Sequence, residues 1–221
     1  MRELRPGLWH WQAPHPDWTP DERWPQIVSS YAIDDGKRLI LVDPLRVPDE
    51  LLAAAPDRAP VILLTAPWHE RDAQRLVERL GARIHTPRPH SARYLMETFG
   101  LTAEQAGDGS PDLLWLRDGD ADVHWYAAGD TLPIGARAFP GRDPSDLMVW
   151  VEDRRALLCA DSVVDFGRGF GVNPRPQGGP NRDQVADILR PLLDLPIEVV
   201  LPAHGLPTDR AGLERALTSA A

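Results

Sequence analysis

The chain has 221 residues, 43% of them hydrophobic and 26% charged, with 24 basic against 33 acidic side chains and a formal net charge of −9. This supports a real core and excludes wholesale disorder, while the negative balance argues against nucleic-acid binding through a general positive field. No apolar run approaches the roughly 20 residues that span a bilayer, so no membrane partner is expected. The opening MRELRPGLWHWQAP lacks a signal-peptide core, and the lone Cys159 cannot pair internally, so the cytoplasm is the expected location. The length suits one domain over residues 1–221. Only Lys37 is lysine among the 24 basic residues, which reads as GC-rich codon usage.

Residues 1–25 hold four of the eight tryptophans, Trp9, Trp11, Trp18 and Trp24, and such a segment is expected to pack on the body. Residues 26–33 (QIVSSYAI) and 38–42 (RLILV) read as strands around a turn at Gly36. A short helix is expected at 48–55 and a buried strand at 60–65 (PVILLT). Ala73, Leu76, Val77 and Leu80 have helical spacing over 72–80, closed by Gly81. A strand at 83–86 and a helix at 91–99 follow.

In the second half, strands are expected at 122–128 and 136–139, and a hairpin at 147–152 and 156–160. Residues 166–180 (FGRGFGVNPRPQGGP) carry so much Gly and Pro that they read as a long loop. The pattern over 182–193 predicts a helix with Val185, Ile188, Leu189 and Leu192 inward. A buried strand at 198–201 and a last helix at 209–220 complete the chain. Two β-rich halves flanked by helices predict an α/β (α+β) architecture, a four-layer αββα sandwich.

Polar residues cluster just after the buried strands, where rigid scaffold meets accessible loop. They are Asp43 after LILV, the run TAPWHERD from Thr65 to Asp72, Asp161 after ALLCA, and His204 in LPAHG. A further loop, PGRDPSD, spans Pro140 to Asp146. In this order and spacing, from about Gln26 to Gly205, these elements resemble the metallo-β-lactamase superfamily.

That resemblance implies a metal site. The superfamily holds one or two ions with a His-x-His-x-Asp-His loop, a Pro-Gly-His histidine, a strand-end aspartate and a terminal histidine. Here His69 falls in the first loop, Asp161 fits the aspartate and His204 the terminal histidine. Ala66, Pro67 and Trp68 supply no ligand, and Arg142 stands where the Pro-Gly-His histidine belongs. With His69 as the second histidine, Arg71 and Asp72 take the Asp-His places.

Two readings stay open. One keeps a single divalent metal, zinc first, on His69, Asp72, Asp161 and His204, with His69, Asp72 and Asp161 as catalytic groups. The chain is then a hydrolase of a small ester, thioester, lactone or phosphoester, with pocket arginines favouring an anionic one. In the other there is no metal: Arg71 and Arg142 neutralise Asp72 and Asp161, and the chain is a binding or interaction module. In either case the partner is a small molecule.

Asp43 is expected to brace the loops, and Arg168 to reach a pocket mouth. Asp72 also suits the first turn of a helix, where the dipole favours a carboxylate. His10, His15, His85, His90 and His124 show no ligand spacing and read as packing or surface residues, and Cys159 as a small core residue. No Gly-x-Ser-x-Gly elbow is present in the sequence, which disfavours a serine hydrolase.

Overall fold

The structure is a computed structural model that describes residues 1–116, 121–175 and 178–218. Its first half runs β1 (Arg2–Arg5), β2 (Leu8–Pro14), β3 (Ile27–Asp34), β4 (Arg38–Val42), α1 (Asp49–Ala54), β5 (Ala59–Leu63) and α2 (Ala73–Leu80). Then come β6 (Arg83–Pro87), α3 (Ala92–Phe99), α4 (Ala103–Ala106) and β7 (Val123–Tyr126). The second half holds β8 (Arg137–Asp143), β9 (Asp146–Val151), β10 (Ala156–Leu158), β11 (Val163–Asp165), β12 (Phe170–Val172), α5 (Arg182–Leu189), β13 (Val199–Leu201) and α6 (Arg210–Thr218).

Strands β1 to β7 form one sheet in sequence order, antiparallel up to β4 and parallel from β4 onward. A second sheet has the order β13-β10-β9-β8, and β11 pairs with β12 in a small third. Three apolar clusters fix the layers. Ile33, Ile40, Val42 and Leu63 of the first sheet pack on Leu147, Val149, Val151 and Leu158 of the second. The opposite face of the first sheet, with Leu39, Leu41, Ile62 and Ile84, is covered by Leu51 of α1 and Leu76 of α2. The opposite face of the second, with Met148, Trp150, Leu157 and Val200, is covered by Val185 and Leu189 of α5 and Leu213 and Leu217 of α6. This is the expected helix–sheet–sheet–helix order, and alternation along each strand produces it because successive side chains face opposite layers.

Several elements depart from expectation. The tryptophan-rich segment does more than pack on the body: it supplies β1 and β2, with Trp11 buried and its Nε1 donating to the Leu45 carbonyl at 2.8 Å. The stretch 166–180 is not all loop, because β12 lies within it, pairing Gly171 with Val164; residues 176 and 177 lie outside the described residues. The helix expected over 182–193 ends as α-helix at Leu189 and tightens into a 3₁₀ turn at Arg190–Asp194, where Pro191 has no N–H to continue the ladder. Ile188 is 39% exposed, and Ala186 takes its place on the buried face. Of the helix expected over 209–220, Arg210–Thr218 is helical and 219–220 lie outside the described residues. The short helix α4 went unforeseen, although Thr102 and Gln105 form its capping box. Among the described residues no helix is long and apolar enough to cross a membrane.

Leu158 is 1% exposed between the two sheets. Leu158→Ala is expected to cost about 2–5 kcal/mol of unfolding free energy, read from the urea midpoint, because the packed layers cannot collapse into the cavity.

Candidate functional site

Four strand ends meet at one point. The carboxylate of Asp43, just past β4, is buried; its Oδ1 accepts from the Thr65 amide at 2.8 Å and its Oδ2 from the Thr65 hydroxyl at 2.6 Å. The same Oδ2 lies 3.1 Å from His69 Nδ1. Pro67 opens a 3₁₀ turn over Pro67–His69 that places Trp68 and His69 one after the other beside the end of β10. Past β13, Ser29 fastens the His204 turn to β3. Its amide donates to Ala203 O at 2.8 Å and its hydroxyl to Gly205 O at 2.7 Å. Gly205 has φ +98° and no room for a Cβ against Asp165, so glycine is required in this turn.

Asp161 is the convergence point, and its two oxygens differ. Oδ2 accepts from Trp68 Nε1 at 3.0 Å and from Arg142 Nη2 at 3.1 Å. Oδ1 faces His69 Nε2 at 3.4 Å and His204 Nε2 at 3.5 Å, and has no hydrogen-bond partner although buried. Arg142 is itself buried: Nε donates to Asp146 Oδ2 at 3.0 Å and the backbone amide to Ser162 Oγ at 2.8 Å. Ser162 in turn donates to Asp146 Oδ1 at 2.6 Å. This close approach needs Gly141, since a Cβ there would collide with the Asp146 carbonyl oxygen and the Ser162 hydroxyl.

The charges follow from that packing. Burial alone would lower the His69 pKa, but Asp43 and then Asp161 outweigh it and hold it up at about 9. Burial drives His204 down to about 4, with Asp161 opposing and the neighbouring cations reinforcing, so this ring is neutral near pH 7. Burial would raise Asp161, yet His69, Arg142 and His204 together keep it well below the usual carboxylate range. Asp146 is raised, chiefly by burial, against the pull of Arg142.

His69, Asp161 and His204 each offer one ligand atom, all within 4.8 Å of one another. Two ligands about 2.0–2.1 Å from a zinc ion at a tetrahedral angle lie about 3.4 Å apart. The 3.4 and 3.5 Å separations are therefore long for hydrogen bonds and suited to the edges of a metal tetrahedron. His69 Nε2 is likewise buried without a hydrogen-bond partner, and its Nδ1 has a carboxylate behind it, the usual support of a metal-binding histidine. The donor set fits one ion.

The structure does not bring every expected residue here. Asp72 precedes α2, where its Oδ2 accepts from the Arg46 amide at 2.6 Å and from Arg75 Nη2 at 2.8 Å; it is neither in the cluster nor on the cavity wall. Arg71 does reach the site, but it holds no ion pair with Asp72. Its Nη1 donates to the carbonyls of Ser29 and Asp43, each at 2.7 Å. Arg168 is exposed and does not line the cavity. Asp43 ties the Thr65 backbone and hydroxyl to the His69 ring. Of the five remaining histidines, His10 meets Ser29 Oγ at 3.0 Å, His90 meets the buried Asp143 at 2.6 Å, and His85 and His124 face each other from β6 and β7.

A cavity of about 600 Å³ opens over the cluster. His15, Arg23 and Trp24, from the segment between β2 and β3, wall it together with Trp68, Arg71 and Phe166. No spacing in the sequence signals the first three, whose only cue is local aromatic density.

No protein-family model matches the chain, and no curated protein does. Solved structures match over nearly its whole length. An archaeal metallo-beta-lactamase superfamily protein from Sulfolobus tokodaii superposes with a TM-score of 0.66 at 17% identity, covering 96% of this chain and 85% of that one. A metallo-beta-lactamase family protein from Thermus thermophilus gives 0.62 at 20% identity, over 99% and 79%. A metallo-beta-lactamase from Pontibacter korlensis gives 0.64 at 16%, over 99% and 97%. The chain has the metallo-β-lactamase fold.

Without metal, the folded His69 holds a proton that the unfolded chain lacks between pH 6.5 and about 9. Its stabilisation is present in full below that window and is lost as pH rises through it. Urea titrations of chelator-treated protein are expected to show His69→Gln flattening the decline across this window. Equal slopes in the two proteins would refute the raised pKa.

Proposed function

We propose that the chain is a hydrolase of small esters, thioesters, lactones or phosphoesters that depends on one divalent ion, zinc first, held by His69, Asp161 and His204. The observation that carries this reading is the convergence of Asp161 Oδ1 and two imidazole nitrogens at separations too long for good hydrogen bonds. Three protein ligands with a remaining open position is the pattern of catalytic zinc. A bound ion supplies a water that ionises near neutrality and polarises the bond to be cleaved.

The chain's own residues set up the rest. Asp43 and Thr65 hold the His69 ring, so that Nε2 is the nitrogen left for a ligand. Trp68 and Arg142 occupy Asp161 Oδ2 and leave Oδ1 free to coordinate. Arg142 also balances Asp146, which lets two carboxylates share a buried site with a single ion. The cavity supplies aromatic walls that receive a small substrate and exclude water.

A second reading rests on the Arg142–Asp161 contact of 3.1 Å and the row Asp43–His69–Asp161. Protonated His69 and Arg142 would then neutralise the carboxylates with no ion, leaving a metal-free binding module.

Elemental analysis of protein purified without chelator and reconstituted with zinc separates the two readings. About one equivalent per chain is expected, and it should be lost in His204→Ala and Asp161→Asn. Asp43→Asn is expected to weaken zinc about 10–100-fold while leaving the stoichiometry intact. No stoichiometric zinc after reconstitution would refute the hydrolase and leave the metal-free module.

A further inference from the structure

Arg71 sits in the cavity wall beside the cluster, and its guanidinium is fixed at one end only. Nη1 is pinned by the Ser29 and Asp43 carbonyls at 2.7 Å each and lies 3.4 Å from Ser30 Oγ. Nε and Nη2 have no protein partner among the described residues, and neither is sealed from solvent. The backbone of Arg71 has φ +45°, a conformation that costs a non-glycine residue energy.

A guanidinium held at one nitrogen presents the other two N–H groups as a rigid, planar fork, the geometry that matches the two oxygens of a carboxylate. The surrounding wall is aromatic, with Trp24, Trp68 and Phe166. In a chain of net charge −9, the cavity wall nonetheless carries, among the described residues, Arg23, Arg71 and Arg142 against the single carboxylate of Asp161. Arg142 is committed to Asp146 and Asp161, so it is not available to a ligand. Arg23 is exposed at the wall and makes no ion pair among the described residues, which makes it the natural control.

We propose that Arg71 is the substrate's anion anchor, and that the cavity takes a small molecule carrying a carboxylate next to an aromatic or apolar group. Calling that molecule a substrate rests on the proposed function; the binding itself does not require metal.

The test uses chelator-treated full-length protein and the fluorescence of the cavity tryptophans. Phenylacetate, phenylacetamide and phenyl phosphate serve as probes. Phenylacetate is expected to bind about tenfold or more tighter than its neutral amide, as a charge-assisted fork should. Arg71→Gln should erase most of that gap, and Arg23→Ala should keep it. Arg71→Lys keeps a cation near the two carbonyls, so it serves where Arg71→Gln fails to fold. It should weaken phenylacetate by about threefold or more, because a point charge replaces a fork.

Equal binding of acid and amide by the native protein would overturn the proposal. So would a gap that survives in Arg71→Gln, a gap that follows Arg23 instead, or unchanged phenylacetate binding in Arg71→Lys. Tighter binding of phenyl phosphate than of phenylacetate would overturn the carboxylate assignment. Because the readout is metal-free, failure of zinc binding and failure of this anchor are separate results.

Discussion

The site depends on how the two oxygens of the Asp161 carboxylate are shared. A buried carboxylate needs partners for both oxygens, and a guanidinium, an indole and two imidazoles come to it from different strand ends. Oδ2 is fully served by Arg142 and Trp68, whereas Oδ1 is not served by any hydrogen bond. That asymmetry leaves Oδ1 as the oxygen open to a positive partner. A carboxylate with one oxygen committed to an arginine has only the other left to coordinate, so the arrangement is built for one charge beside Oδ1 and a guanidinium beside Oδ2. The metal-bound and metal-free readings differ only in what supplies the charge at Oδ1.

Holding these groups together has a conformational cost. Asp43, Arg71 and Ala160 are non-glycine residues at φ +43°, +45° and +44°. Each lies at the site or next to a residue that does, and each follows a regular strand or short turn that fixes its direction of approach. Such strain persists only where surrounding structure over-determines the backbone. Here the four packed layers do so, with Asp43 tied to Thr65 and Arg71 tied to Ser29 and Asp43. The fold's rigidity thus acts at the strand ends, where the chemistry-bearing side chains sit.

Those strand ends are also what the sequence made legible. Buried apolar runs followed by His69, Asp161 and His204 point to one site because parallel and neighbouring strands deliver their ends together. The four-layer order was legible for a related reason: apolar alternation on both sheets and one apolar stripe on each long helix admit few other packings. Asp72 was misplaced because sequence spacing does not reveal a positive φ. At Arg71 the backbone turns, sending the Arg71 side chain to the site and leaving Asp72 to the helix start, bonded to Arg46 and Arg75. β12 was missed because Gly171 and its glycine neighbours weaken any strand pattern, although a two-strand pairing tolerates them. The cavity wall from the β2–β3 segment was missed because its residues share no period, only a position in space.

The excess of arginine over lysine belongs to the whole chain, so no single arginine is meaningful for being one. Geometry separates two of them from that background. Arg142 makes bonds through Nε and Nη2 to two different carboxylates, which a single ammonium on a flexible stem would hold far less rigidly. Arg71 uses one nitrogen to bridge two carbonyls, while Nε and Nη2, on the same plane, have no protein partner among the described residues. Lysine can place one charge at either spot but cannot divide it among fixed directions. At these two positions the residue type follows from the directions of its neighbours' lone pairs, whatever the codon usage around them.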